Sequence, residues 1–300
     1  MSATDRDSGS NPIRFEPRAP VIGAVVHGID LNEPLDEARA ACIYRGLIDH
    51  LVLFFPEQDI TPGAHVEFAR AFGPLEPRHP LYPHVEGHDQ IMVIENDEAR
   101  PPDNEVWHSD VTFKPDPPFA SVLQAKVLPP AGGDTMWANM YAAYEALSEP
   151  TKAMLDGLTA VHDMHHGFDY LRARGETERV RALDALDRQK VSAEHPVVLT
   201  HPVSGRKLLY VNPAFTSHIV GLSPEESRRL LALLFQQTAT PRFQVRFRWT
   251  PNTIAFWDNR CTQHYAVGDY YPHYRKLQRV TITEDSLGQG RAAGRLAEAG

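Results

Sequence analysis

Three residues of this 300-residue chain have the types and spacing to hold a metal ion. His108 and Asp110 form an H-x-D pair in the run Trp107-His108-Ser109-Asp110-Val111, whose composition suits a strand. On a strand, residues i and i+2 share a face, so both side chains could reach one ion. A third ligand must come from far along the chain, and the run Trp257-Asp258-Asn259-Arg260-Cys261-Thr262-Gln263-His264 offers His264. Two imidazoles and one carboxylate leave coordination positions open, as at non-haem Fe(II) oxygenase sites.

With 15 histidines in the chain, other pairs compete. His65-Val-Glu67 has the same spacing but falls on a predicted helix, where the two side chains diverge. His84-Val-Glu86 reads as a Pro/Gly-flanked loop with no strand to fix it. His165-His166 are adjacent, point apart, and have no further ligands at zinc-site spacing.

The elements that must position these residues are mostly short strands. Ile22–Ile29 and Leu51–Phe55 are apolar and strand-like. So are Ile91–Ile94, Ser121–Val127, Val197–Thr200, Leu208–Val211 and Phe243–Trp249, with Gly and Pro between them. Ala40, Ile43, Tyr44 and Leu47 fall at i, i+3, i+4 and i+7, which predicts an amphipathic helix. Further helices are predicted from Pro62 to Phe72, from Tyr141 to Leu155, and from Ser223, where Ser-Pro-Glu-Glu reads as a capping box with Pro at the first helical position. The charged stretch Tyr170–Gln189 reads as a helix or a mobile lid. The predicted fold class is mainly β with peripheral helices (α+β), an antiparallel β-core with helices outside.

Three separated motifs carry a family resemblance: Trp107–Phe113, the run Gly132-Gly133-Asp134-Thr135-Met136-Trp137, and Trp257–Arg279. Together they resemble the taurine dioxygenase (TauD/TfdA) family, over about Phe15 to Ile282. The resemblance implies a double-stranded β-helix (jelly-roll, cupin-like) core and a single domain over 12–285. Outside it would lie a disordered leader at 1–11 and a tail at 286–300. It implies Fe(II) on His108, Asp110 and His264, with 2-oxoglutarate and O2 as co-substrates. Arg275, eleven residues after His264, and Thr135 would bind the distal carboxylate of 2-oxoglutarate, a task suited to a guanidinium. On residue type alone, Arg275 reads better as a solvent-facing arginine beside Lys276 and Arg279.

For the substrate, Arg279 and His79 match the positions that bind a sulfonate, and Asn104 matches the residue at the amine end. Tyr82, Val111, Phe168 and Phe215 match the pocket lining. The activity implied first is hydroxylation of taurine at the carbon bearing the sulfonate, releasing sulfite and aminoacetaldehyde, with succinate and CO2 from 2-oxoglutarate. An alkylsulfonate or alkylsulfate dioxygenase is the alternative, and a non-catalytic cupin-like binding protein is the alternative of another class. Gly167 departs from the family pattern, which has serine before the pocket phenylalanine, and so bears on substrate preference.

Composition is that of an ordinary globular protein. A net charge of -9 argues against a nucleic-acid partner, so any anionic ligand must be met by a local Arg or His cluster. Two cysteines without a C-x-x-C pair suit a reducing cytoplasm. No run is long and apolar enough to span a membrane. The resemblance implies a homodimer or homotetramer, though no interface is legible in the periodicity.

Overall fold

A computed structural model gives the fold and describes residues 12–78, 82–102, 105–168, 175, 177–185 and 191–288. The strands in the first half are β1 (Arg14–Pro17), β2 (Ala24–His27), β3 (Val52–Phe55), β4 (His84–Val85), β5 (His88–Asn96), β6 (Ala120–Val127), β7 (Thr135–Asn139) and β8 (Thr159–Asp163). The second half adds β9 (Ser192–Pro196), β10 (Val198–Thr200), β11 (Lys207–Leu209), β12 (Thr216–Ile219), β13 (Gln244–Phe247), β14 (Ile254–Asp258), β15 (Thr262–Ala266) and β16 (Arg275–Ile282). An eight-stranded sheet runs in the order β1-β2-β3-β14-β6-β16-β5-β4, and a three-stranded sheet runs β13-β7-β15. The double-stranded β-helix (jelly-roll) core is built from these two.

Alternation along the strands explains why the large sheet is covered on both faces. In β3, Val52 and Phe54 join one core while Leu53 and Phe55 join the other, and in β14 Ala255 and Trp257 alternate with Ile254 and Phe256. The first set meets the small sheet. Phe54 and Trp257 pack edge-on against Trp137 of β7, at centroid separations of 5.4 and 5.7 Å. The second set is covered by α1 (Glu37–His50) and α2 (Pro62–Arg70), through Ile43, Leu47, Val66 and Phe68. Full burial of such a side chain contributes roughly 1.5–3 kcal/mol.

The helix-start signal expected at Ser223 holds, and α1 and α2 also begin on side-chain caps. Asp36 caps α1 and Thr61 caps α2, and Ser223 and Glu226 close the expected capping box on Pro224–Thr238. The single helix expected from Tyr141 to Leu155 is instead two, α3 (Met140–Glu145) and α4 (Glu149–Leu155). Ser148 restarts the chain as a new N-cap with a proline in the first turn, a signal that overrides continuous periodicity. A third sheet, β12-β8-β9, stands beside the core, and the one-turn helix α5 (Met164–Gly167) follows β8. Of the Tyr170–Gln189 stretch, Thr177–Asp184 forms α6, and residues 169–174, 176 and 186–190 lie outside the described residues. Residues 1–11 and 289–300 also lie outside them, and among the described residues no helix is long and apolar enough to cross a membrane.

Candidate metal centre and pocket

The H-x-D run is not a strand. His108 makes a single antiparallel bridge to His264, and Asp110 sits in the turn that follows, with Val111 at φ 58°. The expected mechanism, two ligands on one face of a strand, is therefore replaced by a bridge plus a kink.

Three successive residues grip the loop that delivers His264. His108 exchanges both backbone hydrogen bonds with His264, at 3.0 and 2.7 Å. The Ser109 hydroxyl donates to the Thr262 carbonyl (2.7 Å), and the Asp110 N–H donates to Asn259 Oδ1 (2.7 Å). Residues some 150 positions apart are thereby held side by side.

His108, Asp110 and His264 are all buried, with candidate ligand atoms within 4.8 Å of one another. The Asp110 Oδ1 atom is 4.0 Å from His108 Nε2 and 3.9 Å from His264 Nε2. Separations near 4 Å are wider than the roughly 3 Å between adjacent ligands about 2 Å from one ion, so the three side chains would close in by about an ångström to hold it. The carbonyl of Val106 can only accept, so at 2.8 Å it fixes the proton on His108 Nδ1 and puts the ligating lone pair on Nε2. Two imidazoles and a carboxylate fit Fe(II) as a donor set.

Burial pushes the Asp110 carboxyl upward, but Arg279 and the two histidines outweigh it and hold the group well below the usual carboxylate range. Burial, then the neighbouring His108, holds His264 well below an ordinary histidine. Both residues are thus poised in their ligating, deprotonated forms. Ser121 donates to Asp110 Oδ2 at 3.0 Å, and Arg279 Nη1 lies 2.6 Å from Oδ1.

The triad opens into a pocket of about 100 Å³. One wall is a sheet face where Arg275, Leu277 and Arg279 of β16 pair with Asn96, Ile94 and Met92 of β5, and all six line the cavity. Arg275 is 3% exposed and donates from Nη2 to the Gly133 carbonyl (2.9 Å). Its Nε is buried without a partner, an unmet donor suited to a carboxylate. Gly133, at φ 73°, admits this close approach, since a Cβ there would lie 3.1 Å from Arg275 Nε. Thr135 also lines the pocket, and its hydroxyl accepts from Trp249 Nε1 at 2.9 Å.

The sequence matches the taurine catabolism dioxygenase TauD, TfdA family over residues 14–281. The chain belongs to that family. Within it, the chain is similar to an alkylsulfatase of Acinetobacter baylyi, with 36% identity over 87% of this chain and 82% of the relative. It is 37% identical to an alpha-ketoglutarate-dependent sulfate ester dioxygenase of Pseudomonas putida, over 89% and 88% of the two chains. A crystal structure of a taurine dioxygenase from Burkholderia xenovorans superposes with a TM-score of 0.77 at 38% identity, covering 91% of this chain and 90% of that one. This TauD/TfdA chain accordingly works with Fe(II), 2-oxoglutarate (alpha-ketoglutarate) and O2.

Among the expected pocket residues of the TauD/TfdA chain, Tyr82, Val111, Phe168, Phe215, Arg275, Arg279 and Thr135 all line the cavity. His79 and Asn104 lie outside the described residues. His65 is a buried core histidine bonded to the Val122 carbonyl, and His84 begins the two-residue strand β4, not the expected loop. Sequence reasoning missed Asn259, although it stands inside the His264 motif, and the polar support beneath Val111.

It also missed a second buried cluster, His201, Asp258 and Cys261. His201 Nδ1 accepts from the N–H of Val203 (3.3 Å) and Ser204 (3.1 Å), so its proton sits on Nε2, 3.1 Å from Asp258 Oδ2. Arg260 closes on the same carboxylate at 2.6 Å and reaches Asp285 at 2.8 Å. That pairing satisfies the Asp258 charge and occupies the imidazole, so the cluster is a structural ion-pair network that anchors the β14–β15 loop.

Proposed function

We propose that this chain is a dioxygenase that hydroxylates the carbon adjoining an anionic sulfur group. Its favoured substrates would be alkyl sulfates or alkylsulfonates with an apolar carbon chain. One observation carries this choice of substrate. Among the described residues lining the pocket, the only carboxylate is Asp110, already committed to the triad and to Arg279. An ammonium group therefore finds no acidic partner there, whereas Ile94, Val106, Val111, Phe113, Ala214 and Phe215 offer an apolar wall.

In this reading His108, Asp110 and His264 hold the iron. Arg275 and Thr135 receive the distal carboxylate of 2-oxoglutarate, and Arg279 receives the sulfate or sulfonate. Iron with O2 and 2-oxoglutarate supplies the oxidising power, and 2-oxoglutarate leaves as succinate and CO2. The protein binds both anions, aims the C–H bond and keeps water out. Hydroxylation next to a sulfate ester gives an unstable adduct that separates into aldehyde and sulfate, and next to a sulfonate into aldehyde and sulfite.

Taurine is the second reading, supported by the likeness to the taurine dioxygenase of Burkholderia xenovorans. A panel of alkyl sulfates, alkylsulfonates and taurine, with Fe(II), ascorbate and 2-oxoglutarate, separates the two. We expect sulfate or sulfite release from the apolar-chain substrates at higher kcat/KM than from taurine. Faster sulfite release from taurine would reverse the order.

A further inference from the structure

Asp110 and Val111 are consecutive, yet both line the pocket. Extended backbone sends neighbours to opposite faces, so the left-handed turn at Val111 (φ 58°) is what lets both face inward. A β-branched residue rarely adopts that conformation, and it persists only where the surroundings hold it.

The surroundings do hold it, from both sides. On the Asp110 side, Asn259 accepts from the Asp110 N–H through Oδ1 (2.7 Å) and donates through Nδ2 to the Asp110 carbonyl (2.9 Å). The same amide also donates to the Pro118 carbonyl at 3.1 Å, and Asn259 is fully buried. On the other side, Asn212 donates to the Thr112 hydroxyl (3.1 Å), which also meets His162 Nδ1 at 2.8 Å. His195 Nε2 donates to the carbonyls of Thr112 (2.8 Å) and Lys114 (3.0 Å).

We infer that Asn259 is a positioning residue: its side chain brackets both backbone groups of Asp110, keeps Val111 in the left-handed conformation, and so fixes the carboxylate where the metal binds. The inference rests on reading His108, Asp110 and His264 as the ligands. Asn259 also lies in the turn that leads into β15 and His264, so its side chain adds to the bonds of His108 and Ser109 that set the register between the two ligand-bearing segments.

The test is Co(II) binding to the metal-free protein, followed by d–d absorption and calorimetry, in Asn259→Ala, Val111→Gly, the double variant and Asp110→Ala. Asn259→Ala should raise the Co(II) Kd about 10–100-fold, the usual effect of losing a group that orients a ligand. Glycine takes positive φ without strain, so Val111→Gly should recover much of that loss in the Asn259→Ala background. Should Asn259→Ala fail to fold alone, recovery of folding and Co(II) binding in the double variant is the same rescue. An unchanged Kd in Asn259→Ala, or no rescue by Val111→Gly, overturns the proposal. Asp110→Ala with full Co(II) affinity would instead remove the ligand reading beneath it, a failure visible without reference to Asn259.

Discussion

Arg279 Nη1 lies 2.6 Å from Asp110 Oδ1, the same oxygen that stands about 4 Å from both imidazoles. In the proposed site, Arg279 and the metal ion would share the Asp110 carboxylate. Removing Arg279 should act in opposite directions on the two ligands. In Arg279→Gln, the KM for an alkyl sulfate should rise about 10–100-fold, since a charge-assisted hydrogen bond to an anion is lost. The metal Kd should fall, because a competing positive charge has gone from beside the carboxylate. Parallel steady-state kinetics and Co(II) titration check both. A weakened metal site in this variant would contradict the competition.

Arg275 should affect the co-substrate alone. Arg275→Lys keeps the charge but loses the fork that meets a carboxylate on two sides. The KM for 2-oxoglutarate should rise about 10–100-fold, while the Co(II) Kd of the co-substrate-free protein stays unchanged. An unaltered 2-oxoglutarate KM would remove Arg275 from the role proposed for it.

Gly167 leaves room for an aromatic ring. A Cβ at this position would press into the ring of Phe215, which itself lines the pocket. Gly167→Ala should therefore displace Phe215, destabilise the protein by about 1–3 kcal/mol, and change the ranking of substrates by chain length. Urea unfolding and kcat/KM across a C2–C12 alkyl sulfate series read the two effects. An unchanged ranking would show that this wall does not sense the substrate.

Two buried histidines should make the protein acid-sensitive independently of the metal. Burial lowers His65 to about 4 and His162 to about 3. An unfolded chain takes up these protons near pH 6.5, which the folded chain refuses until much lower pH. Their contribution is complete above about pH 6.5 and is lost as pH falls from there toward the folded values, at about 1.4 kcal/mol per pH unit for each. Urea unfolding of metal-free protein between pH 7.5 and 5 measures this slope. In His65→Gln the slope should flatten by the share of one histidine.

Much of this was legible along the chain because it depends on local period. The capping box at Ser223 and the helix through Ile43 and Leu47 are local patterns. Arg275 and Arg279 were legible only through the family resemblance: β16 was not among the expected strands, and their shared inward face follows from alternation only once that strand is known. The bend at Val111 was not legible, because a β-branched residue beside H-x-D favours extended backbone and only tertiary contacts force it otherwise. The role of Asn259 was hidden for a related reason: its bonds to Asp110 span 149 residues. The break at Ser148 was a misread local signal, since Ser-Glu-Pro can begin a helix as readily as sit within a periodic run.

The strand β16 also acts as a ruler. Four residues of extended chain set the backbone distance between Arg275 and Arg279 at about 13–14 Å, and β5 and β6 hydrogen-bond that strand along both edges. If these arginines receive the co-substrate tail and the substrate head, the span between the two anions is set by covalent geometry. Tyr82, Val106, Ala214 and Phe215 lie outside the strands that frame it. Residues such as these can be exchanged without altering the spacing on the sheet. A lineage built this way can change its carbon skeleton by rewriting loops while its demand for 2-oxoglutarate stays constant.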